Sequence, residues 1–245
     1  MKRDTILCLC DYSGVMAEPW VMAGYTAILI DPQHQRGVTF EGTVNSGQWL
    51  RVGHEIDHPV SWQVIRDQLP RLAFVVGFPP CTDVSLSGTR WWAKKAAADR
   101  YFQCRATRVA EQCQTIGNMS GAPWIMENPM SAFSRIFRQP DHKFHPFHYT
   151  GWEPDDNYRK ETWLWCGGGF VMPPAWRIEG LDAPDSRIHH CPPGAERANI
   201  RSATPRGFAR AVFNANGTAG QPSAHPPGPK AERWVLEIER VGAEA

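Results

Sequence analysis

Four short apolar runs mark the first two-thirds of the chain: Thr5–Cys10 (TILCLC), Thr26–Asp31 (TAILID), Leu72–Phe78 (LAFVVGF) and Pro123–Glu127 (PWIME). Each is apolar at consecutive positions rather than at every second one. That predicts strands covered on both faces, as in a parallel sheet. Polar or turn-forming residues follow each run. Between the runs lie stretches with helical spacing. Ala17–Ala23 is short, Val60–Gln68 places Val60, Val64 and Ile65 on one side with Leu69 next, and Ala96–Ile116 reads as the longest helix. Strands alternating with helices predict an α/β sheet with helices on both faces, and ligands at the carboxyl ends of the strands.

The second half is less regular. Phe144–Tyr149 and Thr162–Cys166 read as two further strands, and residues 167–202 are loop-rich. Thr204–Asn216 predicts a helix, with Pro205 suited to its first turn and Phe208, Val212 and Phe213 on one side. Residues 217–230 have the Pro/Gly/Ala composition of a linker, and 231–241 suit a short helix or strand.

Composition narrows the class. The 245 residues carry 26 Lys+Arg against 25 Asp+Glu, which excludes a polycationic coat protein but not a local basic patch. Gly and Pro number 21 each, so loops are many. No apolar stretch is long enough to span a bilayer, and the N-terminus lacks a signal-peptide pattern. Seven irregularly spaced Cys predict free thiols in a cytoplasmic protein rather than a disulfide framework.

Three strand ends carry candidate chemistry. In Gly77-Phe78-Pro79-Pro80-Cys81-Thr82-Asp83-Val84-Ser85, a Cys follows a buried strand through two stiffening prolines, which suits a nucleophilic thiolate. Trp124-Ile125-Met126-Glu127-Asn128-Pro129 puts a carboxyl at the next strand end, close enough for Cys81 and Glu127 to act on one ring. Asp11-Tyr12-Ser13-Gly14 follows the first strand and Asp31-Pro32 ends the second. A small-residue turn and an acid there suit an adenosyl cofactor; the absence of GxGxxG argues against a dinucleotide.

In this order the elements resemble the DNA (cytosine-5)-methyltransferase family, from Cys10 to about Asn216. Pro-Pro-Cys81 with Ser85 resembles the nucleophile loop, Glu127-Asn128 the Glu-Asn element, and Asp11-Tyr12-Ser13-Gly14 the cofactor turn. Asn157–Thr162 stands where the Gln-x-Arg-x-Arg strand would be, and Thr204–Arg210 where a last helix closes the cofactor pocket. The style is closest to short methylases of bacteriophages and prophages. There are departures: Thr82 stands for the usual Gln, Pro129 for Val, and the Arg strand is degenerate.

The resemblance implies a Rossmann-like, three-layer αβα methyltransferase domain (1–166 and 203–216) with a very small recognition insert (167–202) and a C-terminal segment (217–245). It implies S-adenosylmethionine held around Asp11, Tyr12, Ser13, Gly14, Asp31, Pro32, Phe78 and Pro79, with Asp57 toward the adenine amine. It implies base flipping, addition of Cys81 to cytosine C6, and Glu127 at N3, with Ser85 beside them. Lys160 or Arg159 would meet the base carbonyl. No metal is implied. His142/His145/His148 and His189-His190-Cys191 with Cys166 match no common metal framework.

The partner implied is double-stranded DNA, read with short or relaxed specificity by a monomer in a bacterial host cytoplasm, in restriction-modification or a related role. Six cations and one acid lie between Arg90 and Arg108. Among them Arg90, Lys94 and Lys95 are expected at phosphates, with Trp91 and Trp92 available to stack. An RNA cytosine methyltransferase and a catalytically silent DNA-binding module are the alternatives.

Overall fold

The computed structural model describes residues 2–194 and 196–217. The linker and terminal element read from the sequence beyond Gly217 lie outside them. Eight strands form one sheet: β1 (Thr5–Leu9), β2 (Thr26–Ile30), β3 (Val38–Val44), β4 (Gly47–Val52), β5 (Leu72–Gly77), β6 (Trp124–Asn128), β7 (His142–Phe144) and β8 (Thr162–Gly167). Their order is β3-β4-β2-β1-β5-β6-β8-β7. The five strands β4, β2, β1, β5 and β6 are parallel, while β3 pairs antiparallel with β4 and β8 runs antiparallel between β6 and β7. The chain leaves β1 to one side for β2 and returns to the other for β5. The switch point therefore lies between β1 and β5, and the crevice outside it is the preferred ligand site of such sheets.

The helices are α1 (Glu18–Met22), α2 (Pro59–Gln68), α3 (Trp92–Ala98), α4 (Phe102–Ser120), α5 (Phe133–Ile136), α6 (Arg187–His190), α7 (Arg197–Ser202) and α8 (Arg206–Asn216). Strand residues alternate between two cores. Leu7 and Leu9 of β1 face Ile65 of α2 and Ala106, Ala110, Cys113 and Ile116 of α4. Ile6 and Cys8 face Trp20 of α1 and Phe208 and Val212 of α8. Both faces of β1 are thus covered, which is why its sequence is a continuous apolar run. At Gly77 an added Cβ would lie 2.8 Å from Cys113 Sγ, so the glycine lets α4 pack directly on β5 beneath the site.

The parallel strands β1, β2, β5 and β6, with α1, α2 and α8, lie where the sequence places them, to within a residue or two. Three expectations need correction. The expected helix 96–116 is two helices, broken at Asp99, which is extended (φ −154°) and accepts the Tyr101 N–H at 3.0 Å. The expected strand 144–149 ends at Phe144, because Pro146 opens a 3-10 turn through Tyr149. The β3–β4 hairpin was not expected at all. Its turn holds Asn45 and Ser46 at positive φ, and β3 is largely exposed. The loop-rich segment 167–202 also holds α6 and α7.

Candidate active site

Cys81 sits in a turn that is fastened on two sides. Its carbonyl accepts the N–H groups of Val84 (3.1 Å) and Ser85 (2.8 Å). The loop after β6 zips to this turn: Leu86 N–H donates to Met130 O and Ala132 N–H to Val84 O, both at 2.9 Å, so that Ser85 bridges Ser131. Asn128 Nδ2 donates to Pro79 O at 2.9 Å. On the other side Lys95 Nζ meets Thr82 O (3.0 Å) and Asp83 Oδ1 (2.6 Å), and Gln103 Nε2 meets Asp83 O (3.2 Å). The Ser85 hydroxyl is shared with Ser87 at 2.9 Å.

Register places the carboxyl beside the thiol. Gly77 of β5 pairs with Met126 of β6, so Glu127 leaves its strand level with the start of the Phe78–Cys81 turn. Glu127 Oε1 is buried without a hydrogen-bond partner among the described residues. Burial lifts its carboxyl above the ordinary range, and the charge of Lys160 opposes that lift. The Cys81 thiol is also raised, first by burial and then by Glu127; Lys160 and Arg201 pull it back. The two acids and the two cations therefore share one field.

This arrangement separates the two candidates for the base carbonyl. Asn128 pairs with Trp163, so the segment entering β8 passes the carboxyl end of β6. Lys160 acts on both Glu127 and Cys81, and its Nζ donates to Ser202 O (3.2 Å) and Ala203 O (3.0 Å). Arg159 is exposed, and its charge acts on His145 and not on Glu127 or Cys81.

At the switch point, Asp11 organises the turn after β1. Its Oδ1 accepts Ser13 N–H, Ser13 O–H and Gly14 N–H, each at 2.9 Å. Its Oδ2 is buried without a partner among the described residues, and burial raises the carboxyl. Gly14 has φ +71°, and a Cβ there would lie 2.9 Å from Leu29 Cδ2 and 3.0 Å from Trp49. Tyr12 is exposed and stacks on His34 at 5.4 Å. Asp31 is buried and accepts the Gln33 N–H at 2.8 Å. Phe78 packs with the α1/α8 core.

Beyond Asp31 lies an open cleft of about 500 Å³, lined by Pro32, His34, Arg36, His54, Asp57 and His58 among others. His54 and His58 stack there at 3.8 Å. Cys81 and Glu127 do not line this cleft, which belongs to the β2–β4 side of the strand ends. Asp57 is at its wall and pairs with Arg108 at 3.3 Å.

The expected basic patch is smaller than the sequence suggests. Lys95 is a correction: it braces the Cys81 loop through Asp83. Arg105 pairs with Asp99 and Arg108 with Asp57. Arg90 lies over the exposed Trp91 ring at 5.2 Å, and Arg100 over the exposed Tyr101 ring at 5.2 Å. Lys94 is exposed beside them. Trp92 is half-buried, with Nε1 buried and unpartnered among the described residues. Sequence reasoning overlooked Tyr101 beside Arg100, the His34/His54/His58 wall and Arg201; the last was hidden in a segment read as loop.

All seven Cys are unpaired. Among the described residues no cluster of three or more His, Cys, Asp or Glu is placed to hold a metal, and no helix is long and apolar enough to cross a membrane. No protein-family model matches the chain, and no curated protein matches it significantly.

Proposed function

We propose that the protein methylates C5 of cytosine in double-stranded DNA, with Cys81 as nucleophile and S-adenosylmethionine as methyl donor. The observation that carries this reading is the shared field of Cys81, Glu127 and Lys160 at adjoining strand ends. A thiol and a raised, unpartnered carboxyl facing one space suit a ring that must be attacked at carbon while it is protonated at nitrogen.

The sheet supports the reading. A parallel set with a reversed strand slotted beside its last member is the arrangement of Rossmann-like methyltransferases. The residues also fit an adenosyl cofactor. Asp11 offers a buried oxygen without a partner among the described residues, Gly14 lets the turn close tightly on Leu29 and Trp49, and the cleft at Pro32 and Asp57 offers an opening for a base. When bound, S-adenosylmethionine supplies an electrophilic methyl group to C5.

The chain's own residues do the rest. The target cytosine leaves the duplex, since its C6 is unreachable in the stack. The Cys81 thiolate bonds to C6, and the electron pair of the C5–C6 double bond moves through C4 to N3, which takes the proton of Glu127. Glu127 also holds the exocyclic amine, and Lys160 lies beside them, at the base carbonyl. After C5 is methylated, N3 returns its proton to Glu127, and removal of the C5 proton by a base restores the double bond and expels the thiolate. Arg90, Lys94 and Arg100, with Trp91 and Tyr101, form the cationic aromatic surface beside the entry.

The test is incubation with S-adenosylmethionine and unmethylated duplex DNA, followed by nucleoside mass spectrometry. 5-Methylcytosine from the wild type and none from Cys81→Ser is expected. Product that survives Cys81→Ser, or no product at all, overturns the reading.

A further inference from the structure

The helix α7 lies across the strand ends like a tie. Near its middle, Asn199 Nδ2 donates to Gln33 Oε1 at 3.3 Å, and Gln33 is itself held on Asp31. Where α7 ends, the carbonyls of Ser202 and Ala203 receive Lys160 Nζ. These contacts carry the end of segment 167–202 over the mouth of the Cys81 turn.

Arg201 occupies the last turn of α7, next to Ser202, and is half-buried. Among the described residues its guanidinium has neither an acid partner nor a hydrogen bond. In that it differs from Arg105, Arg108, Arg206 and Arg210, which all meet carboxylates. Lys160, the nearer cation, already has two carbonyl acceptors. Arg201 is thus an uncommitted planar cation beside the Lys160 anchor, and its charge reaches the half-buried Cys81.

We propose that Arg201 is a positioning residue that holds a phosphate of the extruded nucleotide while Cys81 and Glu127 engage its base. The inference rests on the DNA reading above. A nucleotide entering this mouth brings a phosphodiester anion on each side of its sugar into a partly dehydrated setting, where an anion is costly unless it is paired with a cation. The guanidinium fork matches two phosphate oxygens at once, as the Lys160 ammonium does not.

The test is a salt titration of duplex binding by the full chain, read by fluorescence anisotropy, for wild type, Arg201→Ala and Arg201→Lys. A single phosphate contact contributes about −0.9 to the slope of log K against log salt. Arg201→Ala is expected to flatten the slope by about one, and to raise KM for DNA more than it lowers kcat. Arg201→Lys is expected to keep the slope, which separates lost charge from lost structure. A wild-type slope in Arg201→Ala overturns the assignment while leaving the DNA reading intact. An unchanged slope with slower Cys81 alkylation also overturns it, placing Arg201 at the thiol instead. A wild type that shows no salt-dependent duplex binding overturns both.

Discussion

Asn128 and Pro79 join the two strand ends that bear the candidate chemistry: the Asn128 amide donates to the Pro79 carbonyl at 2.9 Å, in a buried setting. Proline has no N–H, so neither Pro79 nor Pro80 can anchor the turn by donating. The turn is held through its carbonyls, at Pro79, Cys81, Thr82 and Asp83. Asn128→Ala leaves the Pro79 carbonyl without its donor and is expected to cost about 1–3 kcal/mol of stability. Urea unfolding measures that loss, and kcat is expected to fall more than the binding of DNA.

The Cys81 thiol offers a test that needs neither DNA nor cofactor. The Glu127 charge raises it and the Lys160 charge lowers it. Glu127→Gln is therefore expected to move the pH profile of iodoacetamide alkylation to lower pH, and Lys160→Met to move it higher. Shifts in the same direction for both variants would refute the shared field.

Asp156 predicts a pH dependence of stability. It is buried, accepts the Gly207 N–H at 2.7 Å, and burial raises its carboxyl from 3.8 to about 6. Because the folded value exceeds the unfolded one, ionisation favours unfolding. The stability associated with this group is fully present below about pH 4 and is lost as pH rises through about 6. The loss is on the order of 3 kcal/mol. Asp156→Asn is expected to gain stability at pH 7 relative to pH 4.5, compared with wild type, by urea midpoint at each pH.

Gly14→Ala tests the turn after β1. The substitution forces a side chain into the left-handed region and against Leu29 and Trp49. A cost of about 1–3 kcal/mol is expected. Isothermal titration with S-adenosylhomocysteine is expected to show affinity lost in the same variant, while Cys81 alkylation stays as in wild type.

The legible parts of the fold are those buried on both faces. β1, β2, β5 and β6 announce themselves because nearly every position in them is buried and none is exposed, and Cys81 and Glu127 follow from where those strands stop. The β3–β4 hairpin stayed hidden for the opposite reason. Its Val38 and Phe40 are exposed, and its turn is Asn-Ser, without the Gly that marks most tight hairpins. The break at Asp99 was hidden by flanking Ala and Arg residues that favour helix on both sides. The charge of segment 90–108 was legible, but not which cations find acids, since Asp83 and Asp57 come from other elements. That Lys160 acts on both Glu127 and Cys81 likewise depends on the register of β8 on β6.

The dipeptide at the end of β6 divides its labour by geometry. Successive strand residues project to opposite faces, so Glu127 is turned toward the Cys81 turn's open side and Asn128 to the support of its neighbour. A shift of one residue in β6 would bring either Asn128 to the place of Glu127, with Pro129 behind it, or Glu127 to the place of Asn128, and in both cases the amide leaves the Pro79 carbonyl. Both placements therefore hang on the one register that sets Gly77 against Met126.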